Sequence, residues 1–169
     1  MMVTFNKGLV SLVFLLLFSL FSLHLTAQSL AYKTLLSTLY DSDFPVLKPD
    51  QIIDLDDFQI LDTREKEEFE TSHLMDAEWV GYETFSMENV AKLHKDQPVL
   101  VYCTVGARSQ EIGKKLREAG FKEVYNLYGG LIEWVNEEKP IYQGGSLTNK
   151  VHTYSKSWGV WLIKGEQVY

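Results

Sequence analysis

The stretch Pro98-Val99-Leu100-Val101-Tyr102, running on into Cys103-Thr104-Val105-Gly106-Ala107-Arg108-Ser109, decides the fold. Its first part is continuously apolar and rich in β-branched residues, the pattern of a strand buried on both faces of a parallel sheet. Cys103 to Arg108 reads as a short loop. Ser109 to Ala119 reads as a helix with Ile112, Leu116 and Ala119 on its inner face and Gly120 at its C-terminal stop. Lys122 to Leu127 is the next strand, and Gly129-Gly130 turns into a last helix over Leu131 to Val135.

Upstream the alternation continues. Phe58 to Asp62 is a compact apolar strand, Arg64 to Thr71 a charged, solvated helix with Phe69 turned inward, and Glu78-Trp79-Val80 a further short strand. Val46-Leu47 gives a short strand, Lys48-Pro49-Asp50 opens a short helix through Ile53 and Leu55, and Met87 to His94 has helical spacing. Leu30 to Tyr40 reads as a short amphipathic helix broken by Asp41-Ser42-Asp43-Phe44-Pro45. Repeated strand–helix alternation predicts an α/β domain, a parallel sheet with helices on both faces. Lys150 to Tyr169 lies beyond that pattern. Its β-formers and its Trp158, Trp161 and Tyr169 suit a hairpin packed on the domain, with a partner-binding edge as the alternative.

Composition narrows the function. A chain of 169 residues, 46% hydrophobic and 23% charged, has the size and make-up of one globular domain. The formal net charge of −7 argues against nucleic acid as a partner, because such affinity rests on a basic footprint. A single cysteine excludes an intramolecular disulfide framework and a Cys-rich zinc site. Lys7, the apolar run Leu9 to Leu25 and the exit Thr26-Ala27-Gln28 form the outline of a secretory signal peptide. An uncleaved membrane anchor is the alternative, since Leu9 to Ala27 is about long enough to span a bilayer. Either way the body faces an extracytoplasmic space, periplasmic in a bacterium or else secreted, where an unpaired thiol is a flag for reactivity.

Ligands of open parallel sheets collect at the carboxyl ends of the strands, and Cys103 directly follows the most buried strand. The segment after it supplies successive backbone N–H groups and a helix start, both of which favour negative charge. Gly106 lets the backbone curl closely, Arg108 adds a permanent cation, and Ser109 is a good helix-capping residue. These features converge on one sulfur atom and stabilise an anion there.

The loop Cys103-Thr104-Val105-Gly106-Ala107-Arg108-Ser109 resembles the C-x-x-G-x-R-S active-site loop of single-domain rhodaneses, the thiosulfate sulfurtransferases. Leu61-Asp62-Thr63-Arg64, with Glu68-Phe69 and His73-Leu74, is similar to the L-D-x-R … E-F/Y … G-H-I segment of that family. Gly120-Phe121, Tyr125-Asn126-Leu127, Gly129-Gly130 and Trp134 are similar to its G-F … L-x-G-G … W ending. Ser72 stands where the family usually has Gly, and Met75-Asp76 where Pro-Gly is common.

The resemblance covers a rhodanese-like domain over 46–141; the leader 1–27, a helical flank 28–45 and a C-terminal extension 142–169 lie outside it. It implies Cys103 as the nucleophile, with Thr104, Val105, Gly106, Ala107, Arg108 and Ser109 binding a small anionic sulfur donor. A Cys103 persulfide would pass its sulfur to cyanide, a thiol or a partner protein, with no metal or organic cofactor. The four residues between Cys103 and Arg108, one fewer than in related phosphatases and arsenate reductases, favour sulfur over phosphate chemistry. A persulfide carrier or redox sensor without turnover is the alternative. Asp62 and Arg64 follow a strand end and could sit near the same sheet edge as the thiol; the expectation for them, as for His73, is a structural brace, with Arg64 pairing with a carboxylate such as Glu68, four residues on. Trp79 and Trp134 are expected in the core.

Overall fold

A computed structural model describes residues 7–169. The chain divides into two units, one ending at Thr38 and the other running from Leu39 to Tyr169. The first holds most of helix α1 (Lys7–Leu39), a single helix of 33 residues. The short helix expected from Leu30 is therefore its last part: no breaker separates Leu30 from the residues before it, and Asp41 to Pro45 ends it as expected. The first six residues of the leader lie outside the described residues.

The second unit is built on a parallel sheet of β1 (Val46–Leu47), β2 (Gln59–Asp62), β3 (Glu78–Trp79), β4 (Val99–Tyr102) and β5 (Val124–Leu127), in the order β1-β5-β4-β2-β3. Central β4 is buried along its whole length, and its side chains alternate between two cores. Leu100 and Tyr102 join Ile60, Leu127, Leu131 and Trp134 on one face. Val99 and Val101 join Leu61, Ile112, Leu116 and Val124 on the other. A strand apolar at every position is what such two-sided burial requires. Helices α2 (Lys66–Thr71), α3 (Ala107–Glu118) and α4 (Gly130–Asn136) complete the α/β layers.

Several local expectations change. The helix through Ile53 and Leu55 resolves into two 3-10 turns, Pro49–Gln51 and Leu55–Asp57, the second capped by the Asp54 side chain accepting from the Asp56 N–H. Met87–Val90 is likewise 3-10. Helix α3 starts at Ala107, not Ser109, because Gly106 at φ 94 is its N-cap. Asp76, where the family favours glycine, sits at φ 55, a left-handed conformation that Asp tolerates better than most residues.

The C-terminal extension is not a hairpin over Lys150 to Tyr169. The antiparallel hairpin comes earlier, β6 (Ile141–Gln143) with β7 (Ser146–Thr148). Strands β8 (Lys150–His152) and β9 (Glu166–Val168) then pair in parallel, joined through α5 (Lys156–Gly159). Residues 153–165 are long enough for the crossover that parallel pairing demands, about a dozen residues or more. Val151 is fully buried in the core beside Trp134 and Val135, so the extension is packed on the domain as expected.

Candidate active site

The carboxyl ends of β2 and β4 lie side by side, the Thr63 N–H donating to the Tyr102 carbonyl at 3.0 Å. At that edge Cys103 leaves β4. Its backbone is fixed from below by α4, whose Leu131 and Ile132 N–H groups donate to the Cys103 and Thr104 carbonyls at 2.9 and 3.2 Å. Only a glycine allows this approach: a Cβ on Gly130 would lie 2.4 Å from the Cys103 oxygen.

The loop then curls over the thiol. The Gly106 N–H donates to Cys103 Sγ at 3.1 Å. Gly106 carries the positive φ that this turn needs, and a Cβ there would lie 2.1 Å from Tyr40 Oη. Tyr40 holds the turn from outside, donating from Oη to the Val105 carbonyl at 2.6 Å and accepting the Gly129 N–H at 2.8 Å. Burial pushes the Tyr40 phenol far above its ordinary range, so it remains a donor. Asn126 on β5 donates from Nδ2 to the Gly106 carbonyl at 2.9 Å and accepts from Ser109 Oγ at 2.7 Å. Ser109 is thus a buried brace inside α3 rather than its cap. The N–H groups of Ala107, Arg108 and Ser109 open α3, where no preceding helical carbonyl can accept them.

Cys103 is only 1% exposed, yet it forms part of the floor of an open pocket of about 480 Å³. Thr104, Val105, Ala107 and Arg108 line the same pocket. Glu65, Tyr82 and Glu83 complete the lining, with Tyr154 and Trp158 from the C-terminal extension.

Arg108 does not point freely into this space. Its Nη1 and Nη2 donate to the two Glu68 carboxylate oxygens, each at 2.9 Å, and Nη2 also reaches Thr104 Oγ1 at 3.0 Å. Thr104 Oγ1 donates to Glu68 Oε1 at 2.6 Å, and the Glu65 N–H donates to Oε2 at 3.0 Å. Burial works against the Glu68 charge, but the Arg108 hydrogen bonds and charge outweigh it, and the carboxyl lies below its ordinary range. For Arg108, burial is likewise outweighed, by Glu68 and by negative charge at Cys103, and its pKa is raised. The guanidinium also lies beneath the Tyr154 ring, 4.8 Å from its centre.

Glu68 is therefore taken by Arg108 and is not the carboxylate that pairs with Arg64, and α2 turns Glu68 inward more fully than Phe69. Arg64 pairs instead with Asp62, Nε at 3.0 Å from Oδ1 and Nη2 at 2.6 Å from Oδ2, both residues fully buried. Its Nη2 also donates to the Ser72 carbonyl, and its own carbonyl accepts the Trp79 indole N–H at 2.8 Å. This is the expected brace with a different partner: a residue two positions back at a strand end reaches the guanidinium more directly than one across the first turn of α2. His73 exchanges backbone hydrogen bonds with Tyr142, and burial holds its imidazole below the ordinary range. Trp134 is in the core as expected, whereas Trp79 is half-buried. Among the described residues no group of His, Cys, Asp and Glu side chains has the arrangement of a metal site.

Sequence reading gathered the loop residues but missed Glu68, Tyr40, Asn126, Tyr154 and Trp158 around them. Glu68 and Asn126 stood in family motifs, and Trp158 stood out only as an apolar residue of the extension. Tyr40 and Tyr154 carried no signal, because each reaches the loop from far along the chain.

The rhodanese-like domain family matches residues 49–137. Among curated proteins, the chain is 40% identical to the thiosulfate sulfurtransferase GlpE of Coxiella burnetii over 78 residues, 46% of this chain and 72% of that one. Among solved structures, a rhodanese-like domain from Anabaena shares the fold with a TM-score of 0.52 at 24% identity, over 60% of this chain and 80% of its own. The Pseudomonas aeruginosa thiosulfate sulfurtransferase does so at 0.53 and 22%, over 60% of this chain and 20% of its own. The family and the curated relative support sulfur transfer as the general chemistry. The match ends before the extension that supplies Tyr154 and Trp158.

Proposed function

This chain belongs to the rhodanese-like domain family, and on that footing we propose that it is an extracytoplasmic sulfurtransferase working through a Cys103 persulfide. The Cys103 thiolate attacks the outer sulfur of thiosulfate or a related sulfane donor. A sulfur–sulfur bond to Cys103 forms as the donor's own bond breaks, and sulfite or a thiolate leaves with the electron pair. A thiol, cyanide or partner-protein acceptor then attacks the terminal sulfur and releases the Cys103 thiolate. The cycle is ping-pong, and it balances in atoms and electrons without an electron carrier.

The observation that carries this reading is the Gly106 N–H directed at Cys103 Sγ on the floor of an open pocket. An anion there is stabilised by a backbone donor that requires no reorganisation when charge arrives. The amides that open α3 at Ala107, Arg108 and Ser109 extend the cradle toward the added sulfur. Thr104 and Arg108, tied to Glu68, set the position of the loop, and the part of Arg108 that faces the pocket orients an anionic donor. Val105 and Ala107 wall the pocket. The apolar run Leu9 to Leu25 supports export, periplasmic or secreted.

Intact mass spectrometry after treatment with thiosulfate tests the proposal. The wild type gains one sulfur atom and Cys103→Ser gains none. Absence of gain in both overturns it. Turnover with thiosulfate and cyanide marks an enzyme, whereas transfer to a single protein acceptor without turnover marks a carrier.

A further inference from the structure

Part of the lining of the pocket that holds Cys103 comes from the β8–α5–β9 extension, outside the segment 49–137 that matches the family. Two aromatic residues stand in it. Tyr154 adopts φ 65, a backbone conformation unfavourable for a residue with a large side chain, and remains 56% exposed. Such strain is retained where the surrounding structure enforces it, and it gathers at functional sites. Here it sets the ring over the Arg108 guanidinium. Trp158, half-buried on α5, lines the same space, and Tyr82 faces it from the domain.

The charges around the pocket do not suit a dianion. Arg108 is matched by Glu68 beneath it, and Glu65 and Glu83 add two further carboxylates to the lining. Their field repels a doubly charged donor more strongly than a singly charged one. Aromatic faces with little free positive charge favour an organic body over a bare oxyanion.

We infer that Tyr154 and Trp158 are specificity-determining residues, and that the sulfur donor of this site is an organic sulfane compound with an aromatic or apolar body and at most one negative charge. The inference rests on Cys103 acting as the sulfur carrier. An organic thiosulfonate illustrates the step. The Cys103 thiolate bonds to its terminal sulfur, the bond from that sulfur to the sulfonyl group breaks, and the sulfinate leaves with the electron pair.

The test is the rate of sulfur loading on Cys103, followed by intact mass, with benzenethiosulfonate, methanethiosulfonate and thiosulfate. The first two share a reacting group and a charge and differ in the aromatic body. Benzenethiosulfonate is expected to load about tenfold faster than methanethiosulfonate, the factor that stacking of about 1.4 kcal/mol gives. Trp158→Leu and Tyr154→Ala, made separately, each lower that ratio. Glu83→Gln, an exposed position, raises loading by thiosulfate about threefold more than loading by benzenethiosulfonate. Equal rates for the two thiosulfonates, or a ratio unchanged in both aromatic variants, overturn the inference while leaving Cys103 as the carrier. Failure of all three donors to load Cys103 overturns the sulfur-transfer reading itself, and the inference with it.

Discussion

Replacing Glu68 by Gln tests how the loop around Cys103 is held. The carboxylate accepts from both terminal nitrogens of Arg108, from Thr104 Oγ1 and from the Glu65 N–H, and Glu68 is 1% exposed. The amide presents one oxygen in place of two and leaves the Arg108 charge with only the more distant Glu65 carboxylate, 3.9 Å from Nη1. Breaking a buried pair by removing one partner costs about 3–5 kcal/mol. The Arg108 side chain keeps 19% exposure, so the low end applies, about 3 kcal/mol. With a urea m-value of about 2 kcal/mol/M, the unfolding midpoint falls by about 1.5 M at unchanged m. The pH dependence has a definite sign. Glu68 is held below its ordinary pKa in the folded state, so the pair contributes fully above the unfolded value of about 4.3. Its contribution disappears as pH falls through the lower folded value. Wild type and Glu68→Gln should differ most near neutrality and converge in acid. A midpoint shift below about 0.3 M at pH 7, or a difference that widens on acidification, refutes the reasoning.

Three further outcomes follow from the same contacts. Gly106→Ala forces a Cβ into the Tyr40 hydroxyl and a side chain into a left-handed turn; urea unfolding should register a loss of more than about 2 kcal/mol. Tyr40→Phe removes the group that serves both the Val105 carbonyl and the Gly129 N–H, with an expected cost of about 2 kcal/mol and slower sulfur loading of Cys103. Unchanged stability would show that Tyr40 does not hold the loop. Arg64→Lys cannot reproduce the forked contact with Asp62, and thermal unfolding should reveal a loss of about 3 kcal/mol with the donor preference of the pocket intact.

The sheet was legible in β4 because burial on both faces leaves no room for polar residues, so Val99 to Tyr102 announced their environment directly. The thiol's position followed from chain order, since the loop after a central parallel strand opens at the sheet edge. The contacts that shape the loop were not legible. Thr104 and Arg108 meet Glu68 across 36 and 40 residues of sequence, and Tyr40 meets Val105 across 65. Local pattern carries no information at that range. Ser109 looked like a cap because capping preference is local, whereas Gly106 is the cap because Tyr40 approaches too closely for any side chain. In the extension, β-propensity identified strands but not their direction. α5 spans only Lys156–Gly159, too short to leave a periodic trace, and its presence turns a hairpin into a parallel pair.

Amide chemical shifts of the loop, recorded before and after Cys103 takes up one sulfur atom, test the cradle most directly. An anionic persulfide held by backbone N–H groups should move the Gly106, Ala107, Arg108 and Ser109 amide protons downfield and leave the far side of the sheet unchanged. Full sulfur loading with those resonances unmoved would contradict the account.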